Sequence, residues 1–119
     1  MKILIADDSR AMRLMIKKTM REAGHGSHTF IEAADGIEAL EMIEKEKPGF
    51  VLCDWNMPNM SGMELLLTLR NRNDTTAFGF ITTECSNDAR RDAEAAGARF
   101  VITKPFTATS FAHAMDPVL

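Results

Sequence analysis

The chain has 119 residues, of which 45% are apolar and 26% charged. That is enough for one globular domain with its own core, which excludes disordered and fibrous classes and leaves no room for a second catalytic or DNA-binding module. Fourteen Lys and Arg against seventeen Asp and Glu leave a net charge of −3, the wrong sign for a protein that neutralises nucleic-acid phosphates.

Short apolar runs alternate with amphipathic stretches five times, the pattern of βα units and a parallel sheet. The first predicted strand runs from Lys2 to Ala6 and is followed by Asp7 and Asp8. A helix then opens after Ser9, carries an apolar stripe at Met12, Met15, Ile16 and Met20, and stops at Gly24. The second strand is read from Thr29 to Glu32. Asp35 with Glu38 forms a variant capping box for the second helix, which buries Ile37, Leu40 and Ile43 before Pro48. The third strand, Phe50 to Cys53, leads into Asp54. Ser61 with Glu64 repeats the capping device ahead of Leu65, Leu66 and Leu69. The fourth strand, Phe78 to Thr82, precedes a helix from near Ser86 to Gly97 whose stripe is Ala89, Ala93 and Ala96. Alanines bury little apolar area, so this fourth helix is the predicted mobile element. The fifth strand, Phe100 to Thr103, runs into Lys104, and a last helix begins after Pro105 and ends before Pro117. No repeat or Pro/Gly/Ser-rich linker interrupts the chain, so 1–119 reads as a single domain.

The longest apolar runs are far shorter than the roughly 20 residues of a membrane-spanning helix, and the N-terminus lacks a signal peptide's apolar stretch. Cys53 and Cys85 form no CxxC pair and suit a reducing compartment. The reading is a cytoplasmic protein with no membrane insertion and no nucleic-acid partner.

In an open parallel sheet, ligands bind beyond the carboxyl ends of the strands. Asp7, Asp8 and Asp54 all fall there, and they converge if the first and third strands are neighbours. Two unit charges about 4 Å apart repel by about 4 kcal/mol at an effective dielectric near 20, so three such carboxylates demand a cation or a proton. An all-oxygen donor set with retained waters suits Mg²⁺, with Mn²⁺ as a substitute, and does not suit zinc. The alternative for Asp7 and Asp8 is capping of the first helix, and for Asp54 a turn before Pro58. Thr82 and Lys104 end the fourth and fifth strands and offer the same rim a hydroxyl and an ammonium, a set able to bind a transferring phosphoryl group. Singly, such residues are more often a strand-end hydroxyl and a solvated lysine. His25 and His28 have no recognised ligand spacing with Cys53 or Cys85 and read as solvated loop histidines. Lys17-Lys18 and Arg90-Arg91 read as solvated helix faces. His113 falls on a helix surface, and Trp55 is either a lid packed on the site or an anchor for a partner.

Asp7-Asp8, the segment Asp54-Trp55-Asn56-Met57-Pro58 running to Gly62, Thr82, and Lys104-Pro105-Phe106 occur in the order found in receiver domains of two-component response regulators. The chain resembles that family over essentially its whole length, closest to the stand-alone chemotaxis type. The resemblance implies a flavodoxin-like (βα)5 doubly wound sheet with strand order 2-1-3-4-5. It implies that Asp54 accepts a phosphoryl group from a sensor histidine kinase or a histidine phosphotransfer protein. Asp8, Asp54 and the backbone carbonyl of Asn56 would ligate Mg²⁺, Asp7 would act through water, and Thr82 and Lys104 would bind phosphoryl oxygens. The Lys104–Pro105 bond would be cis.

Asn56 and Glu84 match the chemotaxis type at positions that tune the acyl phosphate, which implies a short-lived signal. Thr83 places a branched side chain where Ala or Gly is commoner, crowding the attacking water. Val101 occupies the place of the family's switch aromatic, and Phe100 faces the opposite side of the sheet, within the core. The implied role is a protein-binding switch acting on a flagellar motor or a relay component. The alternatives are a phosphorelay intermediate, the receiver fragment of a longer regulator, and an aspartyl-phosphate phosphatase; a flavin binder is disfavoured because two carboxylates would repel the cofactor's phosphate.

Overall fold

Five apolar runs become five parallel strands because each is short, carries no charge in its centre and is followed by a helix that covers one face. The structure, a computed structural model, describes residues 1–84 and 86–119. The elements in chain order are β1 (Lys2–Ala6), α1 (Arg10–Glu22), β2 (Thr29–Ala33), α2 (Gly36–Glu46), β3 (Phe50–Cys53), α3 (Gly62–Asn71), β4 (Ala77–Thr82), α4 (Asn87–Ala95), β5 (Val101–Thr103) and α5 (Ala108–Met115). The sheet order is β2-β1-β3-β4-β5 with every pair parallel, the flavodoxin-like doubly wound fold. No helix among the described residues is long and apolar enough to cross a membrane.

Alternate strand residues feed two cores, which is why the strands read as continuous apolar runs. Leu4, Val51, Phe78 and Phe80 pack with Leu65, Leu66, Leu69 and Ala93 on the α2, α3 and α4 side. Ile3, Ile5, Phe50 and Leu52 pack with Ile16, Met20, Phe111 and Met115 on the α1 and α5 side. Val101 packs against the first core and Phe100 against the second. Phe100 stacks on Phe50 with ring centroids 5.7 Å apart, and its ring fills the space a side chain at Gly79 would need. Phe100 thus serves packing, although β5 begins one residue later than expected.

The helix boundaries follow their caps. Ser9 accepts from the Met12 amide, Asp35 from Glu38, Ser61 from Glu64 and Ser86 from Ala89, each satisfying an amide that the first helical turn leaves unpaired. Only the Ser61–Glu64 pair among the expected boxes is reciprocal; Asp35 caps from one oxygen while its other accepts from Asn59 of the β3–α3 loop.

Three sets of expectations need correction. Met15 and Ile37 are 51% and 42% exposed: α1 turns Ile16, Thr19 and Met20 to the sheet, and α2 approaches through Gly36, Ala39 and Ile43, leaving the two larger side chains off the buried stripe. His25 and His28 lie in the α1–β2 loop as expected, but they are half-buried and partnered. His25 donates from Nε2 to Asp116 Oδ1 at 2.7 Å, tying the α1–β2 loop to the end of α5, and stacks on His28. Lys17 and Arg90 are partnered across elements. Lys17 binds Glu32 of β2 at 2.9 Å, and Arg90 donates to the Val101 carbonyl and the Thr103 hydroxyl of β5 at 3.2 and 3.1 Å. Lys18 and Arg91 do face solvent, and Cys85 lies outside the described residues.

The α4 helix is held by Ala89 and Ala93, the Arg90 bonds, and Arg70 of α3, which donates to the Ala96 and Gly97 carbonyls at its C-terminal end. Beside the three buried leucines of α3 this is a small apolar anchor. Native-state hydrogen exchange is expected to show α4 amides opening before those of α3, and equal or greater protection in α4 would refute the assignment.

Candidate functional site

The β1–β3 pairing, with Ala6 opposite Cys53, makes Asp7 and Asp54 neighbours as the two strands leave the sheet. The Asp54 amide donates to the Ala6 carbonyl at 2.9 Å and the Asp7 amide to Ala33 of β2 at 3.1 Å, so both turns are anchored by the sheet itself. Carboxylate oxygens of Asp7, Asp8 and Asp54 lie within 4.8 Å of one another. Asp7 is buried, Asp54 half-buried and Asp8 exposed, a gradient from the sheet edge outward.

Lys104 supplies the countercharge. It follows β5, its amide donating to the Thr82 carbonyl at 2.8 Å, and its Nζ stands 2.9 Å from Asp7 Oδ2 and 3.2 Å from Asp54 Oδ2. Burial works against the ammonium, but the bonds to Asp7 and Asp54 and the attraction of both carboxylates outweigh it and raise its pKa above the ordinary 10.5. Stability linked to this charge is therefore complete at neutral pH and is lost only as pH rises through the folded value. The other Asp7 oxygen accepts from the Ser9 amide at 2.9 Å. The Lys104–Pro105 peptide is cis.

Two further groups shape the site from beneath. The Cys53 thiol donates to the Asp54 carbonyl at 3.1 Å; burial first, then the charges of Asp54 and Asp7, push its pKa well up, so it is a neutral donor and no thiolate ligand. Gly62 opens α3 with its amide 2.8 Å from the Trp55 carbonyl, and a Cβ there would stand 2.2 Å from the Asp54 carbonyl oxygen. Gly62→Ala is accordingly expected to cost about 3 kcal/mol in urea unfolding, since the overlap is with backbone that cannot rotate away. A loss under 1 kcal/mol would mean that the turn carrying Asp54 yields easily.

The remaining expected residues ring this centre. Thr82 is fully buried and its hydroxyl accepts from the Glu84 amide at 3.1 Å; among the described residues it makes no hydrogen bond to the three carboxylates. Asn56 and Thr83 are exposed and Glu84 half-buried on the two loops beside the cluster. Trp55 packs on Phe80 with centroids 4.8 Å apart, against the core on the α2, α3 and α4 side. Sequence reasoning missed Arg13, whose Nη1 donates to the Asp7 carbonyl at 2.7 Å. Its only signal was its position four residues before Lys17 on the face that meets β2.

The donor set fits a hard divalent cation: three carboxylates, no sulfur or imidazole, and one of the three open to water. A carboxylate cluster with a lysine countercharge at the carboxyl edge of a 2-1-3-4-5 sheet fits a signalling receiver. The profile of the response regulator receiver domain matches residues 3–116, and the chain belongs to that family, the response regulators of two-component signal transduction. It is similar to the stand-alone chemotaxis regulators within it. The Vibrio cholerae chemotaxis protein CheY-3 is 38% identical over 99% of this chain and 91% of its own length, and Pseudomonas aeruginosa CheY is 39% identical over 91% and 87%. Among solved structures, V. cholerae CheY4 superposes with a TM-score of 0.85 at 32% identity, covering 99% and 98% of the two chains. The Francisella response regulator 1452 receiver domain gives 0.86 at 28% identity, covering 98% and 93%.

Proposed function

We propose that residues 1–119 form a single receiver domain that takes a phosphoryl group on Asp54 from the phosphohistidine of a sensor kinase or a histidine phosphotransfer protein, in the cytoplasm and in a Mg²⁺-dependent reaction. The observation that carries this reading is the gathering of Asp7, Asp8 and Asp54 within 4.8 Å around the Lys104 ammonium. Asp8, Asp54 and the Asn56 carbonyl would hold the ion directly and Asp7 through water. Bound there, Mg²⁺ (or Mn²⁺ in its place) neutralises the carboxylates and the charge of the phosphoryl oxygens.

In the transfer, a carboxylate oxygen of Asp54 forms the new P–O bond as the donor's P–N bond breaks. Lys104, already 3.2 Å from Asp54, binds a phosphoryl oxygen. The Thr82 hydroxyl donates to another, its oxygen being also the acceptor of the Glu84 amide. A shift of Thr82 toward the phosphoryl group carries the Glu84 amide with it and so reaches the residues that lead into α4, which makes the altered surface the one formed by α4, β5 and α5. The domain is a switch rather than a turnover enzyme, its chemistry confined to its own phosphorylation and loss of phosphate. Asn56, Thr83 and Glu84 flank the path of the attacking water and set how long the signal lasts. Likeness to chemotaxis proteins supports an output on a flagellar motor; a relay component is the other partner of the same chemistry.

Acetyl phosphate with Mg²⁺ tests the reading. One acid-stable, base-labile phosphoryl group per chain is the expected result. Multiple turnover of phosphate esters would make the protein a phosphatase, and absence of any adduct would reject both.

A further inference from the structure

The three carboxylates are not equally well held. Asp7 is fixed by Ser9 and Lys104, and Asp54 by Lys104. Among the described residues none donates a hydrogen bond to the Asp8 carboxylate, which is exposed. Its direction therefore depends on its backbone, and that backbone begins with the Asp7–Asp8 peptide. The carbonyl of this peptide accepts from Arg13 Nη1 at 2.7 Å. Arg13 is itself immobilised: only 15% of its side chain is exposed, and its Nε donates to Glu32 Oε1 at 2.8 Å. The second Glu32 oxygen accepts from Lys17 at 2.9 Å. The Lys17 bond first, and then Arg13, hold the Glu32 carboxyl below its ordinary range against the opposing effect of burial, so the brace is charged on both sides at neutral pH.

We propose that Arg13, locked by Glu32, is the positioning residue that aims Asp8 into the cation pocket. The inference rests on the reading that Asp8 is a ligand of the divalent ion. Groups that orient metal ligands typically change metal affinity by 10- to 100-fold when removed, and a planar guanidinium can grip a carbonyl and a carboxylate at once where an ammonium grips one point. Electrostatics and positioning make opposite predictions. A guanidinium bound to the Asp7 carbonyl adds positive charge beside the cluster, so its removal by charge alone would tighten Mg²⁺ binding. Loss of the brace would weaken it.

The test is a Mg²⁺ titration of the whole chain, read by the fluorescence of its single tryptophan, Trp55, and independently by calorimetry. Arg13→Met is expected to raise the Mg²⁺ dissociation constant about tenfold, with Arg13→Lys and Glu32→Gln in between. The rate of adduct formation from acetyl phosphate at saturating Mg²⁺ should stay within about twofold of wild type, the split expected when ligand aim is lost and the reacting groups are kept. If Arg13→Met does not fold, the two milder variants carry the test. An unchanged or tighter dissociation constant in folded variants overturns the proposal while the wild-type titration leaves the receiver reading standing. A wild-type protein that does not bind Mg²⁺ overturns both.

Discussion

Asp54→Asn is expected to abolish the phosphoryl adduct and, in EDTA, to make the protein more stable. The first effect follows from chemistry: the amide lacks the carboxylate oxygen that attacks phosphorus, and neither Asp7, buried under Lys104, nor Asp8, on the outer rim, shares its exposure beside β3. The second follows from charge. Asp54 is repelled by two carboxylates within 4.8 Å and attracted by one ammonium at 3.2 Å, and at an effective dielectric near 20 the repulsions exceed the attraction by about 2 kcal/mol. Asparagine keeps an oxygen for the Lys104 bond and sheds the charge. Intact-mass measurement after acetyl phosphate and urea unfolding in EDTA check the two halves. A stoichiometric adduct on the variant, or a fall in stability, would contradict the assignment of Asp54.

Lys104→Met should act in the opposite direction. It leaves the Asp7 carboxylate, 2% exposed, with the Ser9 amide as its remaining donor, and removing one partner of a buried ion pair costs about 3 kcal/mol or more. Added Mg²⁺ should return a large part of that loss, because a divalent cation held by the same carboxylates replaces the missing charge and binds only the folded form. Urea midpoints with and without Mg²⁺ measure this. A loss below 1 kcal/mol, or one that Mg²⁺ does not reduce, would show that Lys104 is not the countercharge of the cluster. The two variants together separate charge from packing, since both side chains lie at the same edge yet their stability effects carry opposite signs.

Much of the site is legible from the chain because its parts are strand ends. Once Ile3 to Ala6 and Phe50 to Cys53 are recognised as buried parallel strands, Asp7 and Asp54 must leave the sheet on the same edge, and only the adjacency of the two strands remains to be decided. The caps at Ser9, Asp35, Ser61 and Ser86 are equally legible, since each acts over three residues. The failures share the opposite property. Arg13 reaches Glu32, Arg90 reaches Thr103 and His25 reaches Asp116, bonds between residues separated by 13 to 91 positions, and a charged side chain on a helix looks the same in sequence whether it meets solvent or a strand. Met15 and Ile37 failed for a related reason: periodicity finds an apolar stripe but not which of its edges the sheet covers.

Local patterns alone therefore determined the alternation of strands and helices, the edge where chemistry would occur, and the acidic and basic groups available there. Tertiary structure decided which of those groups touch, which oxygen of Asp7 faces the lysine, and which basic residue braces the Asp7–Asp8 peptide. The division has a physical cause. Hydrogen-bond ladders, capping and hydrophobic burial have fixed periods that neighbouring residues reveal, whereas ion pairs and carbonyl clamps depend on distances of a few ångströms between segments that only the packed fold brings together.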